Sequence, residues 1–149
     1  MLPWWRIAAF AAFAIPITLV DLRRMRIPDA LSLGGIVVVL ALDVLLLKAP
    51  ALSIVLEAAV GFGVFWLLRL GTRGKLGFGD VKYSVLIALS LGLLGWLTTI
   101  AVASVTGLIA ALVLIRRLRV PLSTRIPFAP FLTFGAAVSI VMRQARFLS

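Results

Sequence analysis

The chain has 149 residues, of which 63% are hydrophobic and 13% charged, with a net charge of +10 and neither cysteine nor histidine. Soluble domains carry about 25% charged residues, so this composition excludes a water-soluble globular domain and makes lipid the solvent for most of the surface. The missing residue types exclude disulfides, thiol nucleophiles, serine–histidine relays and the common zinc sites, leaving carboxylates, hydroxyls, lysine and arginine for any chemistry.

In chain order, the first apolar segment covers 4–20 and opens on Trp4 and Trp5, an interfacial anchor. Further apolar segments follow it, so it is expected to stay in the protein as a membrane span and not to be cleaved as a signal peptide. It closes at Asp21, ahead of Arg23, Arg24, Arg26 and the stretch Ile27-Pro28-Asp29. The second segment, 29–47, contains Asp43, and the third, 51–69, contains Glu57. The glycine-rich link GTRGKLGFGD leads into the fourth, 80–96, which runs on into the fifth, 97–115. The sixth, 127–143, opens on PFAPF. Segments of 17 to 19 residues span roughly 25–28 Å as helices, near the short end of what crosses a hydrocarbon core. The expectation is an all-α polytopic membrane protein with six transmembrane helices in a single integral membrane domain, residues 1–149.

The basic residues set the orientation. Eleven of the fifteen fall in the links after segments one, three and five: Arg23, Arg24, Arg26, Arg69, Arg73, Lys75, Lys82, Arg116, Arg117, Arg119 and Arg125. Arg6, Lys48, Arg143 and Arg146 lie on the other side. Positive charge marks the cytoplasmic face, so both termini are expected outside. The clusters are short and interleaved with apolar segments, which points away from nucleic acid and toward anionic lipid headgroups as their partner.

The five acids then sort by depth. Asp21, Asp29 and Asp80 fall at the cytoplasmic boundary, while Asp43 and Glu57 lie toward the outer ends of segments two and three. There they are expected to face each other near Lys48. Asp29, after Ile27-Pro28, has the place of a helix N-cap, and Asp80 admits the same reading. Asp21 stands at a helix C-terminus, where a negative charge opposes the macrodipole. Gly74, Gly77 and Gly79 make the link before Asp80 able to receive an extended peptide. Two carboxyls sharing one water are a general base and a general acid, sufficient to hydrolyse a peptide bond with no metal or other cofactor. The alternative is a small membrane transporter or proton-relay protein using Asp43, Glu57 and Asp80.

Asp21, Ile27-Pro28-Asp29 and Gly77-Phe78-Gly79-Asp80-Val81-Lys82 resemble the two signature motifs of type IV prepilin peptidases, bacterial members of the GxGD membrane aspartyl proteases. Pro127-Phe128-Ala129-Pro130-Phe131 resembles their weaker third motif, with Ala129 where glycine is usual. The resemblance implies Asp21 and Asp80 as the catalytic dyad, with Ile27, Pro28, Gly77, Gly79, Lys82, Pro127, Phe128 and Pro130 supporting it. It also implies an inner (plasma) membrane location and substrates that are prepilins or pseudopilins of type IV pilus and protein secretion systems. Such substrates lose a basic leader at the cytoplasmic face. Without the paired cysteines of the bifunctional members, the chain is similar to the short, peptidase-only forms, and N-methylation is not expected.

Overall fold

The computed structural model describes residues 2–47, 50–118 and 126–145, and all regular structure among them is helical. α1 is Trp4–Arg24, α2 Asp29–Leu42 with a π-helical end Asp43–Leu47, α3 Ala51–Gly71, α4 Phe78–Leu118 and α5 Ala129–Ala145. Among the described residues, four stretches are long and apolar enough to cross a membrane: Trp4–Arg24, Asp29–Leu46, Ala51–Gly71 and Phe78–Arg116. Pro3, Pro28 and Pro50 stand immediately before α1, α2 and α3. Their φ is already fixed near the helical value. α1 ends on Met25, whose left-handed backbone (φ 49°) turns its N–H back to the Asp21 carbonyl at 2.8 Å. This end comes later than the hydropathy boundary at 20, so Asp21 sits inside the last turn of α1.

The fourth and fifth apolar segments form one continuous run, and the break between them comes at Gly92, not at 96/97. Gly92 has φ 70° and ψ 170°, a conformation open to glycine alone. The indole N–H of Trp96 donates to Ser84 Oγ at 2.8 Å, and Ser84 Oγ donates to the Gly61 carbonyl of α3 at 2.9 Å. Residues twelve apart on a straight helix are about 18 Å apart. The chain therefore folds back at Gly92, and residues 93–118 return alongside 78–91. Carbonyls near the break are met by arginines from other helices: Arg6 donates to Leu89 O and Arg143 to Leu91 O.

The arm 78–91 is the hub of the fold. From Val81 to Leu91 nearly every side chain is buried whatever its helical phase, the pattern of a helix surrounded by others. Small residues let its neighbours in: a Cβ on Gly35 would lie 2.8 Å from the Leu86 side chain, and one on Gly61 2.9 Å from Ala88 Cβ. Large apolar side chains such as Leu45, Leu52, Leu67, Leu94 and Val141 face outward, as expected where lipid is the solvent.

Candidate active site

At one end of the bundle, the α1–α2 link and the α3–α4 link enclose a cavity of about 250 Å³. Asp21, Met25, Arg26, Ile27, Gly77, Phe78, Gly79 and Asp80 line it. Asp21 is 5% exposed, and its Oδ2 accepts a hydrogen bond from the Ala129 N–H at 3.1 Å. This answers the problem its position poses. A carboxylate at the C-terminus of α1 opposes that helix's dipole, but here it faces the N-terminus of α5, where free N–H groups and the positive dipole end favour it.

The PFAPF stretch explains why this amide is available. Pro127 and Pro130 carry no N–H, and the Phe131 N–H bonds to Phe128 O at 3.1 Å, which leaves the Ala129 amide to reach outward. Phe128 and Phe131 pack over Gly107, with ring centroids 6.5 Å apart, and seat this helix start against the returning arm of α4. The third motif thus acts on Asp21 directly, a role that the sequence alone did not reveal.

Asp80 is the third residue of α4, inside its first turn and not at the N-cap. Its backbone N–H donates to Gly77 O at 3.2 Å. Asp80 lies close enough to Asp21 for the charge on one to act on the other. Gly77 is constrained by this carboxyl, since a Cβ there would lie 3.0 Å from Asp80 Oδ2. Gly79 is constrained by the other link: a Cβ there would lie 2.7 Å from Ile27 Cβ, so the two signature stretches meet backbone to side chain with no room for a methyl.

Asp29 is also not an N-cap. It is the first residue of α2 after Pro28, and its side chain makes no capping bond. Instead its Oδ1 pairs with Lys82 Nζ at 2.7 Å, while the same ammonium stands 4.7 Å from the Phe78 ring centroid. Lys82 therefore ties the start of α2 to the first turn of α4. The Phe78 ring has the Arg69 guanidinium at 5.9 Å and the Trp66 ring edge-on at 5.9 Å.

The remaining acids lie elsewhere. Asp43, 1% exposed, pairs with Arg6 at 2.9 Å, a partner that the expectation of Asp43 facing Glu57 did not include. Lys48 is outside the described residues. Glu57 lies within electrostatic reach of Arg6, Asp43 and Arg143, near the Gly92 break. Fourteen residues of α2 separate Asp43 from Asp29, about 21 Å along the axis, so this cluster and the cavity occupy opposite ends of the bundle.

Fold and cavity together define a bundle of apolar helices of membrane-spanning type in which two aspartates from separate helices share one cleft. Residues 8–112, which include both aspartates, match the model of the type IV leader peptidase family. The chain belongs to that family. Similar proteins include the prepilin leader peptidase/N-methyltransferases of Pseudomonas putida (30% identical over 135 residues, 85% of this chain and 46% of the relative) and Neisseria gonorrhoeae (34% over 128 residues, 82% and 43%). That of Dickeya chrysanthemi is 28% identical over 143 residues, 91% of this chain and 50% of the relative. The chain spans about half the length of these curated relatives. No solved structure matches it.

Proposed function

We propose that the chain is an intramembrane aspartyl endopeptidase that removes the basic leader of type IV prepilins or pseudopilins, with Asp21 and Asp80 as its catalytic pair. The observation that carries this reading is the single cleft lined by both carboxyls, one of them anchored by the Ala129 amide. A water held between the pair gives a proton to one carboxylate as its oxygen attacks the scissile carbonyl carbon. The other, protonated carboxyl gives its proton to the carbonyl oxygen. Collapse of the tetrahedral diol breaks the C–N bond, with the departing nitrogen taking a proton from the carboxyl that received it from water while the other carboxylate takes one back from a diol hydroxyl. Met25, Ile27 and Phe78 give the cleft apolar walls beside the reacting groups, and Gly77 and Gly79 line it with backbone alone.

The accompanying topology is six spans, with Phe78–Arg116 crossing twice by folding back at Gly92, both termini outside and the cleft on the cytoplasmic side of the inner membrane. Arg23, Arg24, Arg26, Arg69, Arg73 and Lys75, in the two links around the cleft and the helix ends that lead into them, support that orientation. Lipids are the partner of this basic belt. Residues 1–149 then act as a single peptidase domain.

The test is to incubate detergent-purified protein with a panel of prepilins and pseudopilins and to weigh the products by mass spectrometry. Cleavage just ahead of the hydrophobic stem is expected. It should vanish in Asp21→Ala and Asp80→Ala and persist in Glu57→Gln. Cleavage that survives loss of either aspartate would sink the assignment.

A further inference from the structure

One helical turn deeper than the cleft, three hydroxyls from three helices meet. Tyr83 Oη lies 2.6 Å from Thr133 Oγ1, and Thr133 Oγ1 lies 2.6 Å from Thr18 Oγ1. Thr18 Oγ1 donates to the Ala14 carbonyl at 2.8 Å. Thr133 Oγ1 also lies 3.0 Å from the Ala129 carbonyl, so its one proton has two acceptors within reach, Ala129 O and Thr18 Oγ1, while Tyr83 has Thr133 and Thr18 has Ala14 O. Every member has a partner, and the set ends on backbone carbonyls of α1 and α5. Tyr83 is fully buried and its ring is stacked on Phe10 of α1 at 6.4 Å, so it has no second rotamer to adopt without opening the core.

The register of the three residues is the informative point. Thr18 precedes Asp21 by three residues on α1, Tyr83 follows Asp80 by three on α4, and Thr133 follows Ala129 by four on α5. These spacings place each hydroxyl on the same helix face as the group its helix delivers to the cleft. We propose that Tyr83, Thr133 and Thr18 are positioning residues that lock the rotation of α1, α4 and α5 and so set the separation of Asp21 and Asp80. The inference rests on the reading of those aspartates as the catalytic pair. A carboxyl about 6 Å from its helix axis moves roughly 1 Å for a 10° rotation, a displacement that costs a reaction of this kind up to two orders of magnitude. In the bilayer no water is at hand to replace a lost partner, so the hydroxyls hold each other.

The test uses Tyr83→Phe, which keeps the ring stack and removes the hydroxyl, and Thr133→Val, which keeps the shape and removes the donor. In the prepilin cleavage assay each should lower kcat about tenfold with KM within about twofold, the double variant should be no worse than either single one, and Thr133→Ser should restore the parent rate. A second readout needs no activity. The chain has no cysteine, so Asp21→Cys with Asp80→Cys gives a unique thiol pair, and a short bifunctional thiol reagent reports their proximity in membranes. Adding Tyr83→Phe should cut the cross-linking yield several-fold while the melting temperature stays close to that of the parent pair. Unchanged cross-linking, or a fall in cleavage that Thr133→Ser does not reverse, overturns the proposal. If no prepilin is cut by the parent, the proposed activity fails, and cross-linking alone decides whether the hydroxyls position residues 21 and 80.

Discussion

The backbone N–H of Ala129 holds the carboxyl of Asp21 at 3.1 Å, joining the first turn of α5 to the last turn of α1 across 108 positions of sequence. Hydrogen bonds to charged groups contribute about 1.5–3 kcal/mol, and this one is buried. Ala129→Pro deletes the donor at a helix position that proline tolerates well. The expected outcome is a fall in cleavage rate of about tenfold or more. Ala129→Gly keeps the N–H and should leave the rate within a few-fold of the parent. Initial rates of prepilin cleavage, with thermal melting as a control for folding, check both.

Gly79 and Ile27 meet with no space for a methyl group. Gly79→Ala forces α4 away from the 26–28 link, an overpacking cost of about 1–3 kcal/mol that falls directly on the cleft. Cleavage should drop by an order of magnitude or more. Ile27→Gly, added to it, removes the Cβ that is struck and should recover part of the rate. A double variant worse than the sum of the two singles would show that the contact is not what excludes alanine.

The Lys82–Asp29 pair is short at 2.7 Å, but the Asp29 side chain is 66% exposed. Solvent screening holds such pairs to about 0–1 kcal/mol. Lys82→Gln and Asp29→Asn should each change unfolding free energy by less than about 1 kcal/mol, with a coupling between them that shrinks as salt is raised. A salt-independent coupling well above that range, measured in a double-mutant cycle, would mean that the pair is shielded from water.

Arg6 and Asp43 form the opposite case, an ion pair with Asp43 almost fully enclosed. Removing one partner of a buried pair costs about 3–5 kcal/mol because the other charge is stranded. Arg6→Met should therefore lower the melting temperature sharply, and Arg6→Met with Asp43→Leu should recover most of the loss. With some 21 Å of α2 between this pair and the cleft, the folded fraction of either variant should cut prepilin at near the parental rate. A selective loss of turnover in well-folded protein would point instead to a role for these acids in the chemistry.

The sequence by itself determined the class of the molecule and singled out five of the residues that line its cleft, Asp21, Ile27, Gly77, Gly79 and Asp80. Both are local properties: long apolar runs leave a chain no solvent except lipid, and an aspartate among glycines, or after a proline-led helix start, announces itself within a few positions. The arginine clusters likewise needed only counting to suggest the orientation proposed above. Tertiary structure alone decided who partners whom. The Ala129 amide on Asp21, Arg6 on Asp43, and the Tyr83–Thr133–Thr18 chain all join residues on different helices. Hydropathy is nearly blind to such pairings, because in an apolar helix every face looks alike and polar contacts depend on rotation and crossing angle. The fold-back at Gly92 belongs to the same group. The run from 83 to 115 carries no charged residue, so only a backbone conformation that glycine can adopt shows where one helix ends and the next begins.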